Sequence, residues 1–126
     1  MRALAEAAYG ALNRRDLDAF LALVTDDVEF TSLIAEAEGT SYHGHDGVRA
    51  WWQTVPASFE EVQWDLLDME AADDRGLMHL TIVGTIGGVP VEQTMWQASR
   101  IRDGKVCWWG LFRTEREARE AVGLPA

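Results

Sequence analysis

Residues Val91–Arg113 read VEQTMWQASRIRDGKVCWWGLFR, and this stretch decides the fold. Strand-forming residues lie on both sides of Asp103-Gly104-Lys105. An Asp-Gly pair between two such runs is a strong β-hairpin signal, because glycine adopts a positive φ without steric cost. Each arm is roughly ten residues, which is long for a strand. The stretch therefore predicts a long hairpin at the centre of a curved antiparallel sheet.

Both faces of this hairpin carry apolar side chains, since alternate residues of a strand point to opposite sides. In the first arm, one set of alternate residues is Gln93, Met95, Gln97, Ser99 and Ile101, and the opposing set is Glu92, Thr94, Trp96, Ala98 and Arg100. In the second arm, one set is Cys107, Trp109, Leu111 and Arg113, and the opposing set is Val106, Trp108, Gly110 and Phe112. A sheet that is apolar on both sides must be covered on both sides, by helices, a ligand or a second subunit.

The composition is that of an acidic globular domain. In 126 residues there are 21 Asp and Glu against 11 Lys and Arg, a net charge of −10. Such a surface disfavours nucleic acid and anionic membranes, and we expect neither as a partner. We expect no signal peptide and no membrane span. A single cysteine, Cys107, suits a reducing compartment. These features predict one cytoplasmic domain over residues 1–126.

Apolar periodicity and capping residues predict four helices, at Ala3–Asn13, at Leu17–Val24 with Asp16 as its N-cap, at Val48–Val55, and from Thr114 to a stop at Gly123. Strands are expected at Val28–Leu33, Phe59–Met69 and Leu77–Ile86, with a polar turn over Ala71–Arg75. Helices grouped before an antiparallel meander indicate an α+β fold. Glu36 and Glu38 fall in an expected loop, where they are either an acidic pair at a pocket mouth or solvated side chains.

Four stretches in this order resemble the SnoaL-like branch of the nuclear-transport-factor-2-like superfamily. They are ALNRRDLDAFLALVTDDVEF at 11–30, YHGHDGVRAWW at 42–52, RIRDGKVCWWGLF at 100–112 and EAREAVGL at 117–124. The resemblance implies a cone-shaped α+β fold, in which a curved antiparallel sheet wraps around the N-terminal helices and encloses a pocket. It leaves function open, because this fold hosts isomerases, cyclases, hydrolases, binding modules and dimerising domains.

Similarity to ketosteroid isomerase implies which side chains would line that pocket. They would be Phe30, Ser32, Trp51, Trp52, Met78, Leu80, Ile82, Ile86, Gln93, Met95, Gln97, Ser99, Trp109, Leu111 and Arg113. His79 would point away from it. Most of these side chains are apolar, as in a small-molecule site. The alternative is that the aromatic rings simply fill the cone.

The catalytic residues of that isomerase are not retained. Its reaction needs a carboxylate base and an oxyanion hole made of a tyrosine and a protonated carboxylic acid. By the resemblance, the base position falls on Ser32, the acid position on Gln97, and the tyrosine position on Ala8, with Tyr9 one place along. Gln97, Ser32 and Tyr9 are therefore the catalytic candidates, with no obvious base among them.

The catalytic residues of related enzymes are not recognisable in this sequence either. The cyclases of this branch need a pocket aspartate, and the nearest candidates, Asp46 and Asp65, suit a helix cap or the surface better. The Asp/Arg/Asp set of the related epoxide hydrolases is not recognisable. His43 and His45 lack a convincing third metal ligand, so neither a metal nor any cofactor is expected.

These observations favour a protein that binds a hydrophobic, oxygenated small molecule in an internal pocket. Gln97 would hold a carbonyl or an enolate, and Trp52 and Trp109 would stack on the ligand ring. If the protein is an enzyme, it would catalyse cofactor-free isomerisation, cyclisation or dehydration of this ligand. The alternative is a non-catalytic ligand-binding or dimerisation module. A homodimer is expected through the outer face of the sheet, at Trp96, Val106, Trp108 and Phe112.

Overall fold

The structure is a computed structural model, and it describes residues 2–31, 41–54 and 56–125. The helices are α1 (Arg2–Arg14), α2 (Leu17–Leu21), α3 (Gly44–Thr54) and α4 (Glu115–Val122), with a short 3-10 turn at Pro56–Ser58. The strands are β1 (Val24–Thr31), β2 (Tyr42–His43), β3 (Glu61–Ala72), β4 (Arg75–Ile86), β5 (Val89–Arg102) and β6 (Lys105–Phe112). None of the helices in these ranges is long and apolar enough to cross a membrane.

The six strands form one curved, unclosed sheet in the order β2-β1-β6-β5-β4-β3. This confirms the α+β cone, with one difference. The sequence predicts an antiparallel sheet, but β1 runs parallel to β6. Such a pair needs a crossover connection, and here β2, α3 and the strands β3 to β5 lie between the two strands in sequence.

The central hairpin turns where the sequence predicts. Asp103 has φ 54° and Gly104 has φ 76°. Two successive residues with positive φ are typical of the hairpin turn whose twist matches that of the strands. Beyond the turn, Gly110 of β6 leaves room for two neighbouring aromatic rings. A Cβ at this position would lie 2.9 Å from the ring of Phe112 and 3.2 Å from that of Trp108.

Side chains of the N-terminal helices fasten them to the sheet. Asn13 donates from Nδ2 to the carbonyl of Trp64 at 3.0 Å and accepts the Trp64 backbone N–H at 2.7 Å. Asp16 caps α2 by accepting from the N–H of Ala19, as predicted. The Asn13 contacts fix the end of α1 to the edge strand β3, and the Asp16 cap stabilises the start of α2.

Several predicted boundaries were wrong. Helix α2 ends at Leu21, and Val24 already belongs to β1, because it pairs with Val106 of β6. Helix α3 begins at Gly44 rather than Val48, after the two-residue strand β2. The turn expected over Ala71–Arg75 contracts to residues 73 and 74, since Ala72 and Arg75 pair as strand residues.

Helix α4 covers part of the convex face. Thr114 caps its start, and Gly123 ends it with φ 70°, both as predicted. Its buried residues Ala118 and Val122 pack in a small second core with Leu77 and Ala98, bordered by Trp96, Trp108 and Phe112. The chain thus supplies some of the cover that an apolar outer face requires.

Val106 does not lie on the outer face, and this corrects the prediction. Between the pairs Arg100–Trp108 and Ile101–Val106, strand β6 advances two residues while β5 advances one. Cys107 is the extra residue of this β-bulge, and a bulge changes the face to which the following side chains point. Val106 is consequently buried in the main core, while Trp108 borders the outer one.

Candidate ligand site inside the cone

Aromatic rings fill most of the space between the helices and the concave face of the sheet. Phe30 stacks on Trp109 with ring centroids 3.9 Å apart. Trp51 meets Trp109 at 5.8 Å and Phe30 at 5.6 Å, both close to edge-on. Phe20 reaches Trp109 edge-on at 5.7 Å. Offset and edge-to-face pairs at these distances are favourable beyond the area they bury, so these rings stabilise one another.

Two small cavities remain in this interior. The first, of about 30 Å³, is lined by Ala8, Tyr9, Leu12, Phe20, Leu23, Val24, Trp51, Trp64, Gln97, Val106, Trp109 and Leu111. The second, also about 30 Å³, is lined by Leu4, Ala5, Ala8, Tyr9, Met78, Gln97, Ser99, Ile101 and Val106. Each has room for water but not for a ring system, since ligand pockets usually measure about 300–1,000 Å³.

The two cavities share four lining residues, and two of these are joined by a hydrogen bond. The Tyr9 hydroxyl donates to Oε1 of Gln97 at 2.7 Å. The Gln97 amide donates in turn to the Ser99 hydroxyl at 3.2 Å. Tyr9 reaches this position from α1, while Gln97 and Ser99 are alternate residues of β5 and so point to the same side of the sheet. Tyr9 and Gln97 thus form a polar partition between the two cavities, whose other lining residues are mostly apolar.

Two indole N–H groups in the core around the first cavity have no hydrogen-bond acceptor among the described residues. They belong to Trp51 of α3 and Trp64 of β3, whose ring centroids are 6.5 Å apart. Both nitrogens are inaccessible to water, so they lie within the packing of the core and not at the cavity surface. Most buried polar groups in proteins find a partner, so each unpaired N–H is a local cost to the fold.

Ionisable groups are scarce at these cavities. No carboxylate, imidazole, lysine or arginine is among their described lining residues. The one titratable side chain is Tyr9, and burial raises the pKa of its hydroxyl far above the usual value of 10.0. Tyr9 is therefore a neutral hydrogen-bond donor at physiological pH. The described lining can stabilise developing negative charge on an oxygen, but it offers no base.

The predicted site residues divide into four groups. Tyr9, Met78, Gln97, Ser99, Trp51, Trp109 and Leu111 line one cavity or the other. Phe30, Trp52, Leu80, Ile82 and Met95 are buried in the same core without lining either cavity. Ile86, Gln93 and Arg113 are exposed. Ser32, Glu36 and Glu38 lie outside the described residues. As predicted, His79 lies on the opposite face of β4, stacked on Trp96 at 3.9 Å.

Several lining residues were not predicted from the sequence, among them Leu12, Phe20, Val24, Trp64 and Val106. Leu12 and Phe20 lie in predicted helices and Trp64 in a predicted strand, and their apolar character indicated burial but not a cavity. Val24 was placed in the wrong element. Val106 was placed on the wrong face, because nothing in the sequence marks the bulge at Cys107.

Comparison with solved structures supports the fold. No curated protein is significantly similar in sequence. An NTF2-like protein of unknown function from Burkholderia pseudomallei has 23% identity and a TM-score of 0.79, over 94% of each chain.

Two further structures share the fold. A ketosteroid isomerase-like protein from Catenulispora acidiphila, solved with trimethylamine, has 19% identity and a TM-score of 0.77, over 97% of this chain and 93% of that one. A candidate polyketide cyclase from Sinorhizobium meliloti has 19% identity and a TM-score of 0.71, over 86% and 92%. The family model for the SnoaL-like domain matches residues 5–109, and the chain therefore belongs to the SnoaL-like family.

Proposed function

We propose that this SnoaL-like protein binds a hydrophobic, oxygenated small molecule inside the cone, with the oxygen held at Tyr9 and Gln97. The observation that carries the proposal is the hydrogen-bonded set Tyr9–Gln97–Ser99, which stands between two cavities in an otherwise apolar interior. An apolar site with a few well-placed polar groups is the usual composition of a ligand pocket. That a relative of the same fold was crystallised with a small molecule also supports it.

Binding a ring system requires the interior to widen. The cavities are only about 30 Å³ each, but they share Ala8, Tyr9, Gln97 and Val106. A ligand oxygen that replaces Gln97 as the partner of Tyr9, or Tyr9 as the partner of Gln97, would allow the Tyr9 ring to move. The two cavities would then join. The exchange replaces one hydrogen bond by another but leaves the displaced group without its former partner, so its cost includes that group as well as the displacement of packed side chains.

Binding without catalysis is the form of this function that the described residues support best. Isomerisation, cyclisation or dehydration each need a proton to be removed from carbon or oxygen, and a general base must lie within hydrogen-bond reach of that proton. Tyr9 and Gln97 can donate hydrogen bonds, but neither accepts a proton near neutral pH. The catalytic alternative therefore depends on a base beyond the described lining residues.

Titration with simple ketones tests the proposal. Cyclohexanone and the larger bicyclic 1-tetralone should change the fluorescence of the interior tryptophans on binding. Replacing Gln97 by leucine should weaken that binding by roughly 1–3 kcal/mol, which is the typical cost of leaving a buried polar group without its hydrogen-bond partner. Gln93→Leu is the matched control, because Gln93 lies on the same strand and is exposed. If neither ketone binds, the proposal is overturned.

We also propose a reducing, cytoplasmic location. Cys107 is free and only half-buried, and disulfide-free proteins with accessible thiols are typical of reducing compartments. Fractionation of the native cells, followed by immunoblotting, checks this directly. Recovery of the protein outside the cytoplasm would contradict it.

A further inference from the structure

Three polar side chains outside the cone are joined in a row. The Ser41 hydroxyl lies 3.1 Å from Nε2 of His43, and Nδ1 of His43 lies 3.5 Å from Oε1 of Glu29. A hydroxyl, an imidazole and a carboxylate are therefore connected in that order. None of the three residues lines either interior cavity, so this cluster is separate from the proposed ligand site.

Strand pairing accounts for the arrangement. Glu29 of β1 and His43 of β2 are register partners in an antiparallel pair, and side chains directly opposite each other in such a pair are close neighbours. Ser41 precedes His43 by two residues, which is the spacing that places side chains of an extended chain on the same side. The alternate residues Phe30 and Tyr42 stack on each other at the main core, so the polar cluster lies on the opposite, convex side.

The carboxylate determines which ring nitrogen carries the proton. An ionised glutamate only accepts hydrogen bonds, so Nδ1 of His43, which faces Glu29, carries the proton of the neutral imidazole. Nε2 is then an acceptor, and the Ser41 hydroxyl donates to it. A nucleophile, a base within hydrogen-bond reach and a third group that orients the base are the parts of a serine-hydrolase triad. Such a triad is recognised by its geometry and not by its sequence positions.

We propose that Ser41 is a nucleophile that takes the acyl group from small activated esters, with His43 as its general base and Glu29 as the positioning residue. In the first step the Ser41 oxygen bonds to the ester carbonyl carbon and the bond to the leaving oxygen breaks. The hydroxyl proton passes to Nε2 of His43 and from there to the leaving oxygen. Water then bonds to the same carbon, and its proton passes through the imidazole to the serine oxygen as the carboxylic acid is released.

The exposure of the cluster restricts the substrate. The side chains of His43 and Glu29 are 64% and 61% exposed, and Ser41 is exposed as well. A site so open to water favours substrates that react with little binding energy. Aryl esters and thioesters of short acids meet this requirement, because their leaving groups depart readily. The same exposure means that substitutions here should leave the fold intact, since exposed ion pairs contribute little to stability.

Labelling with diisopropyl fluorophosphate tests whether the serine is activated. The Ser41 oxygen should bond to phosphorus with loss of fluoride, and this stable adduct is located by peptide mass spectrometry. His43→Gln should slow the labelling by about tenfold or more, since general-base catalysis typically contributes at least that much. His45→Gln is the matched control, because His45 contacts the Val24 carbonyl and not the serine, and it should label like the wild type.

Glu29→Ala tests the positioning role. It should slow the labelling of Ser41 less than His43→Gln does. The ¹⁵N signals of the His43 ring should also change, because the variant lacks the partner that keeps the proton on Nδ1. An unchanged melting temperature shows that the variant is folded. Glu92→Ala, at an exposed glutamate of β5, should alter neither the labelling nor the ring signals.

Hydrolysis of p-nitrophenyl acetate tests the acyl transfer itself. The wild type should release p-nitrophenolate faster than Ser41→Ala, whose rate measures reaction at all other groups. Equal rates in the two proteins, no adduct on Ser41 in the wild type, or an adduct that forms equally fast in His43→Gln would each overturn the proposal. The ketone titration of the interior site is a separate measurement, so either proposal can fail without the other.

Discussion

Phe30 and Trp109 are register partners on the parallel strands β1 and β6, and their rings stack with centroids 3.9 Å apart and planes 11° from parallel. One face of the Trp109 indole is therefore covered by the protein itself. Phe20 and Trp51 approach the same ring at steep angles. Trp109 is a central packing residue, and a ligand that stacks on it, as predicted from the sequence, has to use the ring face that Phe30 leaves free.

Removal of the Trp109 ring should destabilise the fold strongly. Trp109 is 4% exposed, and replacing a buried tryptophan by alanine typically costs about 3–5 kcal/mol through lost burial and a residual cavity. Urea unfolding followed by circular dichroism measures this loss. Trp108→Ala is the matched control, because Trp108 is the neighbouring residue on the opposite, half-buried face, and it should cost clearly less. Equal losses at the two positions would contradict the packing described here.

The Tyr9–Gln97 hydrogen bond should show coupling in a double-mutant cycle. Gln97→Leu leaves the buried Tyr9 hydroxyl without its acceptor, and Tyr9→Phe leaves the Gln97 amide without its donor. Each single change should cost roughly 1–3 kcal/mol, and the double change should cost less than the sum of the two. Urea titration of the four proteins supplies the values.

The same cycle separates a structural from a ligand-binding Gln97. Additive losses would mean that the 2.7 Å contact contributes nothing, and ligand contact would then be the better explanation of a polar residue at this position. Lowered stability with unchanged ketone affinity in Gln97→Leu would remove Gln97 from the site and leave it as a packing residue.

Much of the fold follows from local sequence signals. The Asp103-Gly104 turn, the Asp16 and Thr114 caps and the Gly123 stop are all local signals, and each is where the sequence predicts it. These features depend on neighbouring residues alone. The residue in the turn adopts the positive φ itself, and the unpaired N–H groups of a helix start are bonded by a side chain a few positions away.

The features that the sequence does not predict depend on residues far apart in the chain. The face of Val106 is set by a bulge that appears only when β5 and β6 are paired. The start of β1 at Val24 is set by its parallel partner 82 positions later. Whether six tryptophans fill the cone or line a pocket is a question of packing in three dimensions, and hydrophobic periodicity is the same in both cases.

A homodimer through the outer sheet face remains a prediction, now on a smaller patch. Trp96, Trp108 and Phe112 are each half-buried beside α4, and Val106 no longer contributes. We expect a dimer at micromolar concentration, because partly exposed aromatic rings in a contiguous patch favour association. Sedimentation equilibrium of the wild type and of Trp96→Glu should give a dimer and a monomer respectively.

Val89→Glu is the control for that change. Val89 is 62% exposed at the start of β5. The substitution therefore adds the same charge away from the aromatic patch and should leave the dimer intact. A wild-type protein that is monomeric at micromolar concentration would contradict the prediction. Dissociation by both changes would place the interface elsewhere.

The last prediction concerns stability at alkaline pH. Burial raises the pKa of the Tyr9 hydroxyl in the folded protein above the 10.0 of a free tyrosine. Below pH 10 Tyr9 is neutral in both the folded and the unfolded states, so its burial carries no ionisation cost. Above pH 10 the unfolded chain loses this proton and the folded protein keeps it. The free energy of unfolding should then fall by up to about 1.4 kcal/mol per pH unit on account of Tyr9.

Thermal melting between pH 8 and 11.5 tests this against Tyr9→Phe, which removes the titrating group and keeps the ring. The variant should be less sensitive to alkali than the wild type, although it starts from a lower stability because Gln97 loses its donor. Other effects of alkali involve side chains such as Tyr42, Cys107 and Lys105. They are present in both proteins, so their contributions cancel in the comparison. Tyr42→Phe is the second control, and it should retain the alkaline loss. Parallel stability curves for wild type and Tyr9→Phe would mean that the Tyr9 hydroxyl is accessible to water, and the partition between the two cavities would then be open in solution.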